Sequence, residues 1–182
     1  MSSPFRRGDF FTAVSPGILG KGISGIQKLR TIGMPTSFTH GGLFLDEETI
    51  FESLWRVQRS SVWDYEGKEF LVGRWQGMTD EKFDIAWKTL KKYEGKWYPV
   101  PRLFMFMFFP IMVQLVAPSR WLGLGFFADV VCTELEGLGM KLSGFSVFDE
   151  YMGMMPARVA NIIRRDIDVE VIHPKMPLRR LK

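Results

Sequence analysis

One cysteine, Cys132, and two histidines, His40 and His173, are the chain's whole supply of thiol and imidazole. A thiol becomes a useful nucleophile when its anion is stabilised, and the unpaired N–H groups and dipole at a helix start do this. The stretch Asp129 to Met140 (DVVCTELEGLGM) predicts a helix with Cys132 in its first turn. The nucleophile also needs an imidazole base, and that base needs an acceptor on its other nitrogen to fix its tautomer and orientation. His40 is the candidate base, because Gly41 and Gly42 follow it and leave room beside the ring.

The acceptor is identified by parity across a hairpin. Phe38 to Leu45 and Ile50 to Val57 read as paired strands around a loop at Asp46-Glu47-Glu48-Thr49. If the loop is odd, with Leu45 opposite Thr49, then Gly42 faces Glu52 and Glu52 shares the His40 face. Such diagonal neighbours are about 7–8 Å apart at the backbone, a gap two long side chains bridge. An even loop would turn Glu52 away. Glu52 also interrupts an apolar stretch (IFESLW), where an acid needs a partner.

The same residues have plainer uses. A lone cysteine often serves as a small buried hydrophobe, and a histidine on a strand suits a hydrogen-bonded core position. Glu134 and Glu136 count against a thiolate, since carboxylates disfavour it, and Glu136 at i+4 shares the Cys132 face. His173, followed by Pro174, reads as a strand end, and Lys175 to Lys182 as a solvated basic tail.

The elements that must carry these groups make an α+β chain of antiparallel strands packed against helices. Gly8 to Val14 reads as a strand, Ile23 to Leu29 as a short helix, and Glu69 to Gly73 as another strand. Thr79 is a good N-cap for a helix over Asp80 to Glu94, striped by Phe83, Ala86, Trp87 and Leu90. Gly137 and Gly139 weaken the end of the Cys132 helix. Pro156 opens a helix through Ile163, and Ile167 to Ile172 alternates like a closing strand.

With 182 residues, 46% of them hydrophobic, the chain suffices for one core, and a single domain over 1–182 is expected. A single cysteine excludes an internal disulfide framework and a Cys-cluster metal site, and no cofactor or metal is expected. The net charge of +4 is too mild to argue for nucleic acid, and no nucleic-acid partner is expected. Arg6 and Arg7 precede no apolar stretch of signal-peptide length, so cytoplasmic synthesis without Sec export is expected. Leu103 to Ala117 (LFMFMFFPIMVQLVA) is apolar but, broken by Pro110 and Gln114, is shorter than the roughly 20 residues that span a bilayer. It suits core, a membrane-lying face or a protein interface, with Trp97, Tyr98 and Trp121 flanking it.

Several pieces in order resemble the circularly permuted NlpC/P60 superfamily. They are Gly8-Asp9, Thr39-His40-Gly41-Gly42-Leu43-Phe44-Leu45, Phe51-Glu52-Ser53, Gly95-Lys96-Trp97-Tyr98, Val131-Cys132-Thr133-Glu134-Leu135 and Pro156-Ala157. The resemblance runs from Gly8 to about Val171 and implies a permuted papain-like fold in which His precedes Cys. It implies Cys132 as nucleophile, His40 as base and Glu52 as orienting acid, with the Cys132 N–H and the Tyr98 hydroxyl serving the oxyanion. Glu134 stands at the family's own Glu position. Thr39 and Thr133 replace the usual Ser, and the apolar run makes a hydrophobic insertion at about 99–128.

The leading expectation is a thiol hydrolase that cleaves an amide bond of a peptide, with peptidoglycan peptides as first substrate class, through a thioester. A cytoplasmic enzyme released at lysis or carried in a phage particle would reconcile that substrate with the missing leader. Relatives of lecithin:retinol acyltransferase suggest the alternative of a lipid acyltransferase or phospholipase, peripheral at a membrane through Leu103 to Ala117. A non-catalytic structural or virion-assembly protein displaying the same run is the third reading.

Overall fold

The computed structural model describes residues 3–14, 24–25, 28, 37–97, 132–152 and 154–179. Among them six strands form one antiparallel sheet: β1 (Phe10–Ala13), β2 (His40–Phe44), β3 (Thr49–Ser53), β4 (Val57–Ser61), β5 (Glu69–Trp75) and β6 (Val169–Pro177), in the order β4-β3-β2-β1-β5-β6. Helices α1 (Asp80–Leu90), α2 (Cys132–Leu142) and α3 (Pro156–Arg165) complete an α+β architecture.

Strand alternation gives the sheet two buried faces. Phe10, Leu43, Phe51 and Leu71 meet Ala86 and Leu90 of α1, Leu135 and Leu138 of α2, and Val159 and Ile163 of α3. On the opposite face Phe11, Phe44, Ile50 and Phe70 are covered by Phe5, Leu178 and the 3-10 turn Val62–Tyr65. Each fully buried aromatic or aliphatic side chain contributes about 1.5–3 kcal/mol relative to exposure. The chain thus encloses the middle strands β1 and β2 on both sides.

Several boundaries differ from the sequence reading, each for a local reason. The expected strand Ile50 to Val57 ends at Ser53; the chain reverses through Leu54, Trp55 and Arg56, and Val57 opens β4 opposite Ser53. That turn contains no Gly, Pro, Asn or Asp to announce it. Thr79 caps α1, its Oγ1 accepting from the Lys82 N–H at 3.3 Å, but the last turn tightens into a 3-10 turn at Lys91–Tyr93. Gly137 and Gly139 do not end α2, which runs on to Leu142. They permit close packing, since a Cβ at Gly137 would lie 2.7 Å from Tyr151 Cβ, and one at Gly139 would crowd Leu43 and Leu90.

β5 runs two residues further than expected, to Trp75, and α3 two further, to Arg165. β6 begins at Val169 because Asp166 Oδ1 accepts from the Asp168 N–H at 3.0 Å, holding Ile167 in an exposed turn. It then continues through Pro174 and Pro177, which an edge strand tolerates. His173 is therefore mid-strand and packs near Phe5 and Phe70, rather than closing the strand. Nor is the start of the basic tail simply solvated: Lys175 pairs with Glu69 at 3.1 Å, and Leu178 is buried. Of the expected helix Ile23 to Leu29, only Ser24, Gly25 and Lys28 are described, all helical.

The start of β1 is anchored by an ion pair. Asp9 is buried, and Arg74 grips it with Nε to Oδ1 at 2.7 Å and Nη2 to Oδ2 at 2.8 Å. Arg74→Ala would leave that carboxylate unpaired, at a cost of about 3–5 kcal/mol. Urea unfolding should show this loss, and Asp9→Asn on the Arg74→Ala background should restore much of it.

Candidate active site

The hairpin joining β2 and β3 sets two of the three candidate groups. Asp46 Oδ1 accepts from the N–H groups of Glu48 at 2.9 Å and Thr49 at 2.7 Å, and the Leu45 N–H donates to Thr49 C=O at 2.8 Å. The loop is therefore odd, and Gly42 stands opposite Glu52, as the parity argument requires. His40 and Glu52 share a face and meet, with Nε2 and Oε2 2.8 Å apart, both side chains almost fully buried. Gly42 between them is needed for space: a Cβ there would lie 2.6 Å from the Phe51 carbonyl oxygen and 2.9 Å from the Phe11 ring.

Tyr65, which the sequence reading did not single out, completes the support of Glu52. Its hydroxyl donates to Glu52 Oε2 at 2.6 Å, and its ring stacks on the His40 imidazole with centroids 6.0 Å apart and planes 4° from parallel. Phe11 approaches the same imidazole edge-on at 6.2 Å. Tyr65 comes from the 3-10 turn Val62–Tyr65, whose N-cap is Ser61. No periodicity in the sequence ties that turn to the hairpin, so nothing pointed from Tyr65 to Glu52.

Cys132 is the first residue of α2 and is buried. Beside it, the Thr133 hydroxyl donates to the Met154 carbonyl at 2.6 Å, tying the helix start to the approach of α3. Cys132 acts on the His40 imidazole through charge and hydrogen bonding, while Nε2 of the ring is engaged by Glu52. Burial alone would hold His40 neutral. Charge on Cys132 and its hydrogen bond, reinforced by Glu52, outweigh this and raise the imidazole pKa to about 10. Burial likewise opposes the Glu52 carboxylate, but bonds and charge from His40, with Ser60 and Tyr65, bring it below the ordinary carboxyl range. Burial and the Glu52 charge push the Tyr65 hydroxyl far up, so it remains a donor.

The three predicted groups Cys132, His40 and Glu52 are thus brought together. Tyr98 and the apolar run Leu103 to Ala117, with the expected insertion at 99–128, lie outside the described residues. Glu134 and Glu136, which as charges count against a thiolate, are both buried in α2. Glu136 has its carboxyl pKa raised well above normal, by burial and then by charge on Cys132. That direction favours its uncharged form.

No family model matches the chain, and no curated protein matches it. Among solved structures it is similar to the DUF1105 metalloprotein yiiX from Escherichia coli O157:H7. The two share 14% sequence identity over 94% of this chain and 98% of that one, with a TM-score of 0.56. At that identity the likeness bears on the fold alone, and it extends over nearly the whole of both chains.

Proposed function

We propose that the protein is a thiol hydrolase of the permuted NlpC/P60, papain-like kind, cleaving an amide bond in a peptide through Cys132, His40 and Glu52. The observation that carries this reading is the buried His40–Glu52 pair, with Cys132, at the start of α2, acting on the same imidazole. A satisfied core histidine explains the bond to Glu52 but not a thiol acting on the same ring. Peptidoglycan peptides are the first substrate class to try, on the strength of the sequence resemblance.

In this reading the Cys132 sulfur, having passed its proton to His40, attacks the amide carbonyl carbon. The C–N bond breaks, the His40 imidazolium gives its proton to the departing amine, and the acyl group remains on sulfur as a thioester. Water, giving its proton to His40, displaces the sulfur and releases the carboxylic acid. The backbone N–H of Cys132 serves the oxyanion. Glu52 and Tyr65 hold the ring so that the same nitrogen serves each step.

The structural neighbour is named a metalloprotein. Among the described residues no three His, Cys, Asp or Glu side chains group as metal ligands, and Glu52 already occupies His40 Nε2. These residues do not fit a metal, and no step is derived through one.

The test is trapping of the acyl-enzyme. Incubation with an activated acyl ester, then with a panel of cell-wall peptides, should add the acyl mass to Cys132, and Cys132→Ala should show no adduct. Cys132 should also alkylate faster at neutral pH than a free thiol. Alkylation no faster than free cysteine, unchanged by His40→Ala, would remove the catalytic reading.

A further inference from the structure

Glu136 is a buried acid that the reaction above does not use. It lies one helical turn beyond Cys132, on the same face of α2, and is wholly enclosed. Neither carboxyl oxygen has a hydrogen-bond partner among the described residues. Its Oε2 occupies the space a Cβ would take at Gly41, the residue after His40, where the Phe11 carbonyl oxygen (2.9 Å) and Thr133 Cγ2 (3.0 Å) close the gap. Gly41 is thus what admits the carboxyl under the strand. Thr12, opposite Gly41 in the register of β1 and β2, adds another buried hydroxyl with no partner among the described residues.

Among the described residues, the elements around Glu136 offer it no cation. Its own helix presents Cys132, while Glu134 acts on Tyr151. β2 carries His40, whose charge partners are Cys132 and Glu52, and the Glu52 carboxylate of β3 is taken by His40 and Tyr65. α1 turns Phe83, Ala86 and Leu90 inward, and the turn Ser146–Phe148 contributes Phe148. Two acids one helical turn apart in a buried site oppose each other's ionisation, and the one without a counter-ion is the better holder of the proton.

We propose that Cys132 and Glu136 share one negative charge, which His40 places on the sulfur while the Glu136 carboxyl keeps the proton. Glu136 is then a positioning residue for the nucleophile. The proposal rests on the hydrolase reading for its purpose but not for its test. Its consequence is reciprocal, because whatever removes charge from the sulfur makes the Glu136 proton easier to lose. Acylation of Cys132 is such an event, so the buried acid registers whether the enzyme carries its intermediate.

Infrared difference spectroscopy of the full chain across pH tests this directly. The wild type should show a protonated-carboxyl carbonyl band at neutral pH that is lost in Glu136→Gln. The band should titrate at clearly lower pH in Cys132→Ala, and also in wild type alkylated with iodoacetamide, which needs no mutation. Absence of the band at neutral pH, or identical titration with and without the thiol, overturns the proposal even if Cys132 proves catalytic. The shifted titration supports it even if no thioester ever forms.

Discussion

His40→Ala is expected to lower amide hydrolysis by about 10²- to 10⁴-fold, the range over which a positioned general acid–base acts. In the proposed reaction the imidazole serves as proton acceptor from Cys132, donor to the leaving amine and acceptor from water, so its loss touches every step. Thiol alkylation should also slow, because the bond and charge that tie Cys132 to the ring vanish together. The pH profile carries a further signature. With burial overcome by Cys132 and then Glu52, the ring stays protonated until about pH 10, and kcat/KM on amides should fall as pH rises through that value. The stability from the raised pKa is fully present below the ordinary 6.5 and is lost over the same rise. A profile that falls instead between pH 6 and 7 would show an unperturbed imidazole.

Glu52→Ala should be the most destabilising substitution at the site, by about 3–5 kcal/mol, because it strands a charged imidazole in the core. It also leaves the Tyr65 hydroxyl, now bonded at 2.6 Å, without its acceptor. Glu52→Gln keeps the volume and one oxygen, so it should lose less stability while still weakening the hold on the ring. The folded pKa of Glu52 lies below the ordinary value of 4.5, so the carboxylate contributes above pH 4.5 and its contribution fades as pH falls through the lower folded value. Urea midpoints measured from pH 7 downward should therefore flatten in Glu52→Gln relative to wild type. An acid limb of equal steepness would remove the assigned role.

The part of the site written in local sequence was the part that could be read. The parity of a three-residue loop, capped by Asp46, decides that Glu52 faces His40, and turn chemistry makes that parity legible. Cys132 was legible as a helix start because acid and apolar spacing mark α2. Tyr65 was not, since it reaches Glu52 by folding of a short 3-10 turn over the sheet, a contact without any sequence period. The β3–β4 reversal was missed because Leu54, Trp55 and Arg56 are not turn formers. Glycine misled in α2 for the opposite reason: residues that weaken an isolated helix were chosen for close packing against Leu43 and Tyr151. Glu136 was read as a charge because the upward push on its carboxyl pKa comes from enclosure, which only the fold supplies.

The placement of prolines in β6 bears on how this chain behaves in a crowded cell. An edge strand offers its outward N–H and C=O groups to any passing extended chain, and such pairing seeds aggregates. Among the described residues β6 is an edge of the sheet, and Pro174 and Pro177 lack the N–H that a regular ladder would require. Lys175 between them adds a charged side chain to the same edge. An extended segment that approached there would find an interrupted ladder, so this end of the sheet is a poor template for growth.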